Sequence, residues 1–495
     1  MWPGLITAAC LLGAVGAASP KHVLLIVIDD LGHDDFGYAN DGQIKTPVVN
    51  AMHDGGVHFD NYYVQPSCSP TRATLLTGRK PVHTGINFWI PNAAYGLPLN
   101  ETTLAQVLNA RGFRSHAVGK WHLGLHKSAY LPTFRGFHSF YGFYEGSEDF
   151  WTHNFYGHGL DFHQEDSPNC SFASGCSKLL WDAVGKGDCV RSGTCTEPDY
   201  WAKYSTHLFT ARAEALIKEQ AESYAGKGMF LYLAYQAVHE PRQAPAHYVF
   251  PYNDTITDDG RRVFAGMLSA VDEGIGNVSA ALKAGDMYAD TLFVVTTDNG
   301  GPTTECSTTG QSNWPYRGSK CSIWEGGTHG ASFLYWEGLP KVAQGLRFKG
   351  LIHACDFLPT IVTAVAGAAL APGETLPLDG IDMWPTFISG NGASGPRKHV
   401  YYGIHQGSSV DQPAVRDVQG YKLILASSGG GKGEWSPQQL PNSSSVSQDS
   451  GYDWATNSLP PSLDGGWAAA GSSVSYSTGG KCQMISGTCF PQNDL

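Results

Sequence analysis

Two pairs of hard-oxygen side chains, Asp29-Asp30 and Asp298-Asn299, each stand directly after a short apolar run. Carboxylates and amides offer only oxygen ligands here, which suits Ca²⁺ or Mg²⁺ better than zinc. A single Asp after a strand ordinarily makes a turn or caps a helix. Two such clusters, each at the end of an apolar run, point instead to one metal site. Between them in the chain lies Cys68-Ser-Pro-Thr-Arg72. Pro70 suits the first turn of a helix, Ser67 or Ser69 suits its cap, and Gly78 suits its end. Cys68 and Arg72 are four apart and so share a face of that helix. A thiol at a helix N-terminus beside arginine is electropositive and reactive, whereas an isolated cysteine in a secreted chain more often forms a disulfide. Lys120 and His122, two apart in GKWHLG, point the same way if that segment is extended. His239 follows another apolar run.

The elements that must position these groups are legible as apolar runs. HVLLIVI (22–28), SHAV (115–118), MFLYLAY (229–235), TLFVVTT (291–297) and ASFLYW (331–336) are apolar on both faces, as central strands of a parallel sheet are. TLAQVLNARG (103–112) and FTARAEALIKEQAESYA (209–225) carry helical spacing between them. The alternation predicts an α/β sandwich, and in such sheets ligands sit beyond the carboxyl ends of the strands. Beyond a Gly- and Pro-bearing stretch at 367–380, residues 399–405 and 414–427 alternate like antiparallel strands. Residues 428–480, rich in Gly, Ser and Pro, are assigned no structure. The expected division is a leader at 1–18, a large catalytic unit at 19–385 and a smaller α+β unit at 386–495.

Composition narrows the function classes. The 495 residues carry 32 Lys plus Arg against 44 Asp plus Glu, a net charge of −12, so nucleic acid is an unsuitable partner. The run LITAACLLGAVGAA (5–18) reads as a secretory signal, and no later run is long enough to span a membrane. Of the 11 cysteines, Cys10 falls in that leader. The close pairs Cys170/Cys176, Cys189/Cys195, Cys306/Cys321 and Cys482/Cys489 are candidate disulfides, which leaves Cys68 and Cys355. N-x-S/T triplets at Asn100, Asn169, Asn253, Asn277 and Asn442 agree with a secreted or lysosomal glycoprotein without stable membrane insertion.

C-x-P-x-R followed by ATLLTGR resembles the signature of the type I sulfatases of the alkaline phosphatase superfamily. IDD (28–30), GKWHLG (119–124) and TDNGG (297–301) are similar to further sulfatase motifs in the same order. QAVHEP (236–241), FRGFHSFYGFYEGSEDF (134–150) and NWPYRGSKCSIWEGG (313–327) look closest to the arylsulfatase B, or N-acetylgalactosamine-4-sulfatase, branch. The resemblance implies an alkaline-phosphatase-like, mostly parallel mixed sheet between helices, with a smaller C-terminal antiparallel sheet. It implies a sulfuric ester hydrolase acting on a sulfated small molecule or carbohydrate through a formylglycine hydrate made from Cys68 by a formylglycine-generating enzyme. By the same resemblance, Asp29, Asp30, Asp298, Asn299 and the converted Cys68 bind Ca²⁺. Arg72 holds the nucleophile, and His122 assists its hydration and the release of sulfate. Lys120, His239 and Lys320 take the substrate. Alternatives are a phosphonate or phosphate ester hydrolase of the same superfamily and an inactive sulfated-glycan-binding protein.

The chain departs from the branch at Cys321, where an aromatic is expected. It also stops at CFPQNDL without the family's closing Asp-Pro-x-Glu turn, so its tail is truncated or divergent. Trp151, Phe155 and Tyr156 fit either stacking on a sugar ring or packing in the core.

Overall fold

Ten strands form one sheet in the order β10-β2-β9-β8-β1-β7-β3-β4-β5-β6. In this computed structural model the residues described are 19–87, 94–155, 159–171, 173–180, 203–303, 310–402 and 413–424, with two short strands near the C-terminus. The sheet strands are β1 (His22–Ile28), β2 (Val57–Tyr63), β3 (Arg114–Lys120), β4 (Ser139–Phe143), β5 (His163–Glu165), β6 (Ser177–Leu179), β7 (Met229–Tyr235), β8 (Thr291–Thr297), β9 (Ser332–Tyr335) and β10 (Leu346–His353). Five neighbours, β8-β1-β7-β3-β4, pair in parallel, in the register Ile28↔Tyr235 and Ile28↔Thr297 at the far end of β1. Their carboxyl ends therefore open on the same side.

The apolar runs behave as two-faced strands should. Val23, Leu25 and Val27 of β1 face one core, while Leu24, Ile26 and Ile28 face another. Among the described residues the five longer helices are α1 (Pro47–Gly55), α2 (Cys68–Thr77), α3 (Ser205–Ser223), α4 (Asp259–Ala284) and α5 (Phe357–Ala366). Leu75 and Leu76 of α2 and Leu358, Ile361 and Val362 of α5 pack into the first core. Phe209 and Leu216 of α3 and Phe264, Leu268 and Val271 of α4 fill the second, along with Val49 and Met52 of α1. Burying a Leu, Ile or Phe is worth roughly 1.5–3 kcal/mol, so these two layers fix the sheet between the helices.

One strand departs from the expectation. β9, read from ASFLYW as part of a parallel sheet, pairs antiparallel with both β8 and β2. A run buried on both faces reports burial but not strand direction, because direction is set by the connection that precedes it.

The smaller antiparallel sheet comprises β11 (His399–Tyr402), β12 (Ala414–Asp417) and β13 (Lys422–Ile424), and a hairpin follows in β14 (Cys482–Ile485) and β15 (Thr488–Pro491). The expected leader, Tyr156, Asn442, the 428–480 segment, Cys189, Cys195 and Cys306, and the side chains of Cys482 and Cys489, lie outside the described residues. Cys170 and Cys176 are joined, and Cys321 is also disulfide-bonded. Cys68 and Cys355 are buried free thiols. Among the described residues no helix is long and apolar enough to cross a membrane.

Candidate active site

The carboxyl ends of the parallel strands deliver the predicted groups to one place. Asp29 and Asp30 leave β1, Lys120 ends β3, the turn after β7 carries His239, and Asp298 and Asn299 leave β8. All of these side chains are nearly or fully buried. The turns are tied to each other through the backbone. Asp29 N donates to Ala237 O at 3.1 Å, and Val238 N donates to Asp29 O at 2.8 Å. The glycines of the motifs serve this closeness. A Cβ on Gly119, at φ 98°, would sit 1.9 Å from Ala234 O, and one on Gly300 would sit 1.8 Å from Gly326 O.

Helix α2 begins at Cys68 and ends at Gly78 in the left-handed region, as its sequence predicts. Every one of its residues is buried. Ser67 stands at the N-cap position but makes no side-chain cap, and Ser69 donates to His122 O at 2.8 Å instead. His122 itself has φ 57°, so the extended geometry that would align it with Lys120 ends before it. Ser69 is a residue whose use the sequence reading missed, because Ser in a first helical turn reads as a cap. Asn313 is a second. It clamps the turn after β8, accepting from Gly301 N at 2.8 Å and donating to Gly301 O at 2.7 Å. Its place in NWPYRGSK was the available signal.

Charges alternate through the site. Arg72 donates to Asp298 Oδ2 from Nε (2.9 Å) and Nη2 (2.7 Å), and to Lys120 O from Nη1 (3.2 Å). Lys120 Nζ pairs with Asp29, and Lys320 Nζ lies 2.7 Å from Asp30 Oδ1. His239 Nε2 is 3.5 Å from Asp30 Oδ2. Burial alone would raise the carboxyl of Asp29, but Lys120, His239 and Arg72 hold it below the ordinary range; for Asp30 the opposing charges are chiefly Lys320 and His239. Burial, reinforced by Lys120 and Arg72, holds the His122 imidazole far below its usual value and hence neutral.

Cys68 Sγ lies 3.6 Å from Asp29 Oδ1. Burial pushes its thiol up; Lys120 and Lys320 oppose this, while Asp29 and Asp298 add to it. The helix terminus and arginine therefore do not make an activated thiolate, contrary to the sequence expectation, because desolvation outweighs them.

The carboxylates of Asp29 and Asp30 suit a hard cation, while Cys68 and His239, in the same cluster, are softer ligands. One ligand atom from each of Asp29, Asp30, Cys68 and His239 falls within a 4.8 Å cluster. Asn299 Nδ2 donates to Asp30 Oδ1 at 2.7 Å, while Asn299 Oδ1 is buried without a hydrogen-bond partner. An orphaned buried amide oxygen on a residue that touches Asp30 is a group that a bound Ca²⁺ or Mg²⁺ could satisfy.

Trp151 is fully buried against Tyr204, and Phe155 is buried too, so packing rather than sugar stacking is the role of these two aromatics.

A ten-stranded mixed sheet with a charged site at its parallel carboxyl ends defines an alkaline-phosphatase-like hydrolase. A match to the Sulfatase family spans residues 21–368, and the chain belongs to that family as a sulfuric ester hydrolase. Mouse arylsulfatase J is 35% identical over 86% of this chain and 67% of its own. Human N-acetylgalactosamine-6-sulfatase is 29% identical over 77% of this chain and 68% of its own. The crystal structure of Ps i-CgsB in complex with k-i-k-neocarrahexaose is 29% identical with a TM-score of 0.66, covering 82% of this chain and 84% of that one.

Proposed function

We propose that this site removes sulfate from a sulfated carbohydrate, with an N-acetylgalactosamine 4-sulfate unit as the candidate substrate, after Cys68 is converted to formylglycine and Ca²⁺ is bound. Asp29, Asp30, Asp298 and Asn299 would hold the cation together with the converted residue 68. The formylglycine would supply an oxygen nucleophile, and the cation would withdraw charge from it and from the sulfate.

The chain's own residues supply the rest. Lys120, Lys320 and His239 surround Asp29 and Asp30 and would offset charge on the sulfuryl oxygens. His239 or Lys320 would protonate the departing alcohol. Arg72 is committed to Asp298, Asp29 and Lys120 O, so its task is to hold the carboxylates and the helix end in register. His122, kept neutral by burial and by Lys120, can accept a proton from the nucleophile as sulfate leaves.

The observation that carries this reading is the 3.6 Å approach of Cys68 to Asp29 within a ring of cationic side chains. The relation to N-acetylgalactosamine-6-sulfatase and the oligosaccharide in the Ps i-CgsB complex support a sulfated sugar as substrate. A secretory route to a lysosomal or extracellular destination fits the leader and the glycosylation triplets. The test is sulfate release from oligosaccharides bearing 4-sulfated or 6-sulfated N-acetylgalactosamine and from a sulfated galactan, alongside a matched phosphate ester. A higher kcat/KM for the 4-sulfate supports the reading. Preference for the 6-sulfate overturns the position assigned, and preference for the phosphate overturns the class.

A further inference from the structure

At the other end of the sheet a cavity of about 500 Å³ opens beside Arg114, the first residue of β3, and His138 and Lys227, which precede β4 and β7. It is thus separated from the Asp29–Asp30 site by the length of the strands. Phe113 and Phe134 give its wall aromatic surface. His138 Nδ1 accepts from Ser115 N at 3.2 Å, which places the ring proton on Nε2 as a donor. Lys227 is exposed and offers a further donor. Aromatic faces beside a few fixed polar groups suit a sugar ring, whose C–H face stacks while its hydroxyls and acetamide hydrogen-bond.

Asn169 lines the same cavity. It begins the triplet Asn169-Cys170-Ser171, and its side chain is exposed. Its backbone is pinned to the wall. Asn169 N donates to Thr133 O at 3.2 Å, and Cys170 N donates to Thr133 Oγ1 at 3.1 Å, directly beside Phe134. The Cys170–Cys176 disulfide secures the following turn. Asn100, Asn253 and Asn277 are exposed as well, but none of them lines this cavity.

We propose that Asn169 carries an N-linked glycan whose first N-acetylglucosamine units occupy this cavity, packed on Phe134 and hydrogen-bonded by His138 and Lys227. Attachment joins Asn169 Nδ2 to C1 of the first sugar. The C1–O bond to a lipid-linked diphosphate breaks, the diphosphate leaves with the bonding pair, and Nδ2 loses one proton. The donor is the lipid-diphosphate oligosaccharide of the secretory compartment. The glycan then acts as a covalently tethered part of the core at the amino ends of β3, β4 and β7.

The full chain, secreted from a host that performs N-glycosylation, tests this. Glycopeptide mass spectrometry should find Asn169 occupied. Endoglycosidase should release that glycan from denatured protein but only slowly from the native fold, whereas a glycan on Asn253 should be released readily from both. Asn169→Asp keeps a residue that tolerates its left-handed backbone, at φ 59°, and should lower Tm by about 2 °C or more. Asn253→Gln should leave Tm unchanged. An unoccupied Asn169, or a native glycan there released as fast as that on Asn253, overturns the proposal. The release rates are read on the wild-type chain, so a folding defect in the variant does not rescue it.

Discussion

Arg72 reaches a single oxygen of Asp298 with two of its nitrogens, Nε at 2.9 Å and Nη2 at 2.7 Å, in a pocket where neither side chain is exposed. The arginine belongs to α2 and the aspartate to the end of β8, so this one contact ties the helix that carries Cys68 to the strand end that carries Asp298 and Asn299.

Breaking the tie strands a buried carboxylate. Arg72→Ala should lower the unfolding free energy by about 3–5 kcal/mol, the usual cost of leaving one member of a buried pair alone. Arg72→Lys keeps a charge but cannot place two donors on one oxygen, and should recover only part of that loss. Urea denaturation of the three proteins gives the comparison, and equal stabilities would contradict this role.

Cys68→Ala should fold and melt close to wild type, since among the described residues the thiol's one polar contact is the 3.6 Å approach to Asp29. Sulfate release should fall by about 10⁴-fold or more, as expected when a nucleophile is removed. In wild-type secreted protein, the peptide containing residue 68 should be lighter than the thiol form by about 18 Da, the change that accompanies conversion to an aldehyde. A fully active alanine variant would sink the mechanism.

The orphaned oxygen of Asn299 gives a binding prediction. Calorimetric titration of Ca²⁺ into chelator-treated protein should show one site, and Asn299→Ala should weaken it by at least about 10-fold, a loss already typical for outer-shell changes. Full affinity in the variant would remove Asn299 from the ligand set.

Asp272 supplies a pH test away from the site. It lies in α4 and accepts from Val49 N at 2.8 Å and Val48 N at 3.2 Å, but burial outweighs these bonds and raises its carboxyl from 3.8 to about 6. The unfolded chain therefore ionises first as pH rises. Stability should fall between about pH 4 and 6, by roughly 2–3 kcal/mol from this group, and stay level above. Asp272→Asn should flatten that slope and be the more stable protein at pH 7, read from denaturation at pH 4.5 and 7. An unchanged slope would assign it to other groups.

What could be read in advance divides by the range of the forces involved. β1, β7 and β8 match their apolar runs residue for residue, because a strand buried on both faces must be apolar along its whole length. β2, with partly exposed His58, Asp60 and Asn61, alternates too weakly to stand out, and the three-residue β5 and β6 are too short to carry a pattern. The polar groups at strand ends were legible because topology sends parallel strand ends to one side. The left-handed turn at His122 and the hydroxyl that Ser69 lends to it were not, since both depend on contacts between segments some fifty residues apart in sequence.

The complete burial of α2 sets a clock on the enzyme's biogenesis. Cys68 is 3% exposed, and the nine residues that follow it in the helix are buried with it. A modifying enzyme must hold several residues of extended chain to work on a cysteine, and the finished fold offers none of them. The proposed conversion of Cys68 would therefore belong to the interval between synthesis and folding. On that proposal, a mutation that merely hastens folding of the sheet around α2 would lower the active fraction of the protein while leaving the fold around residue 68 intact.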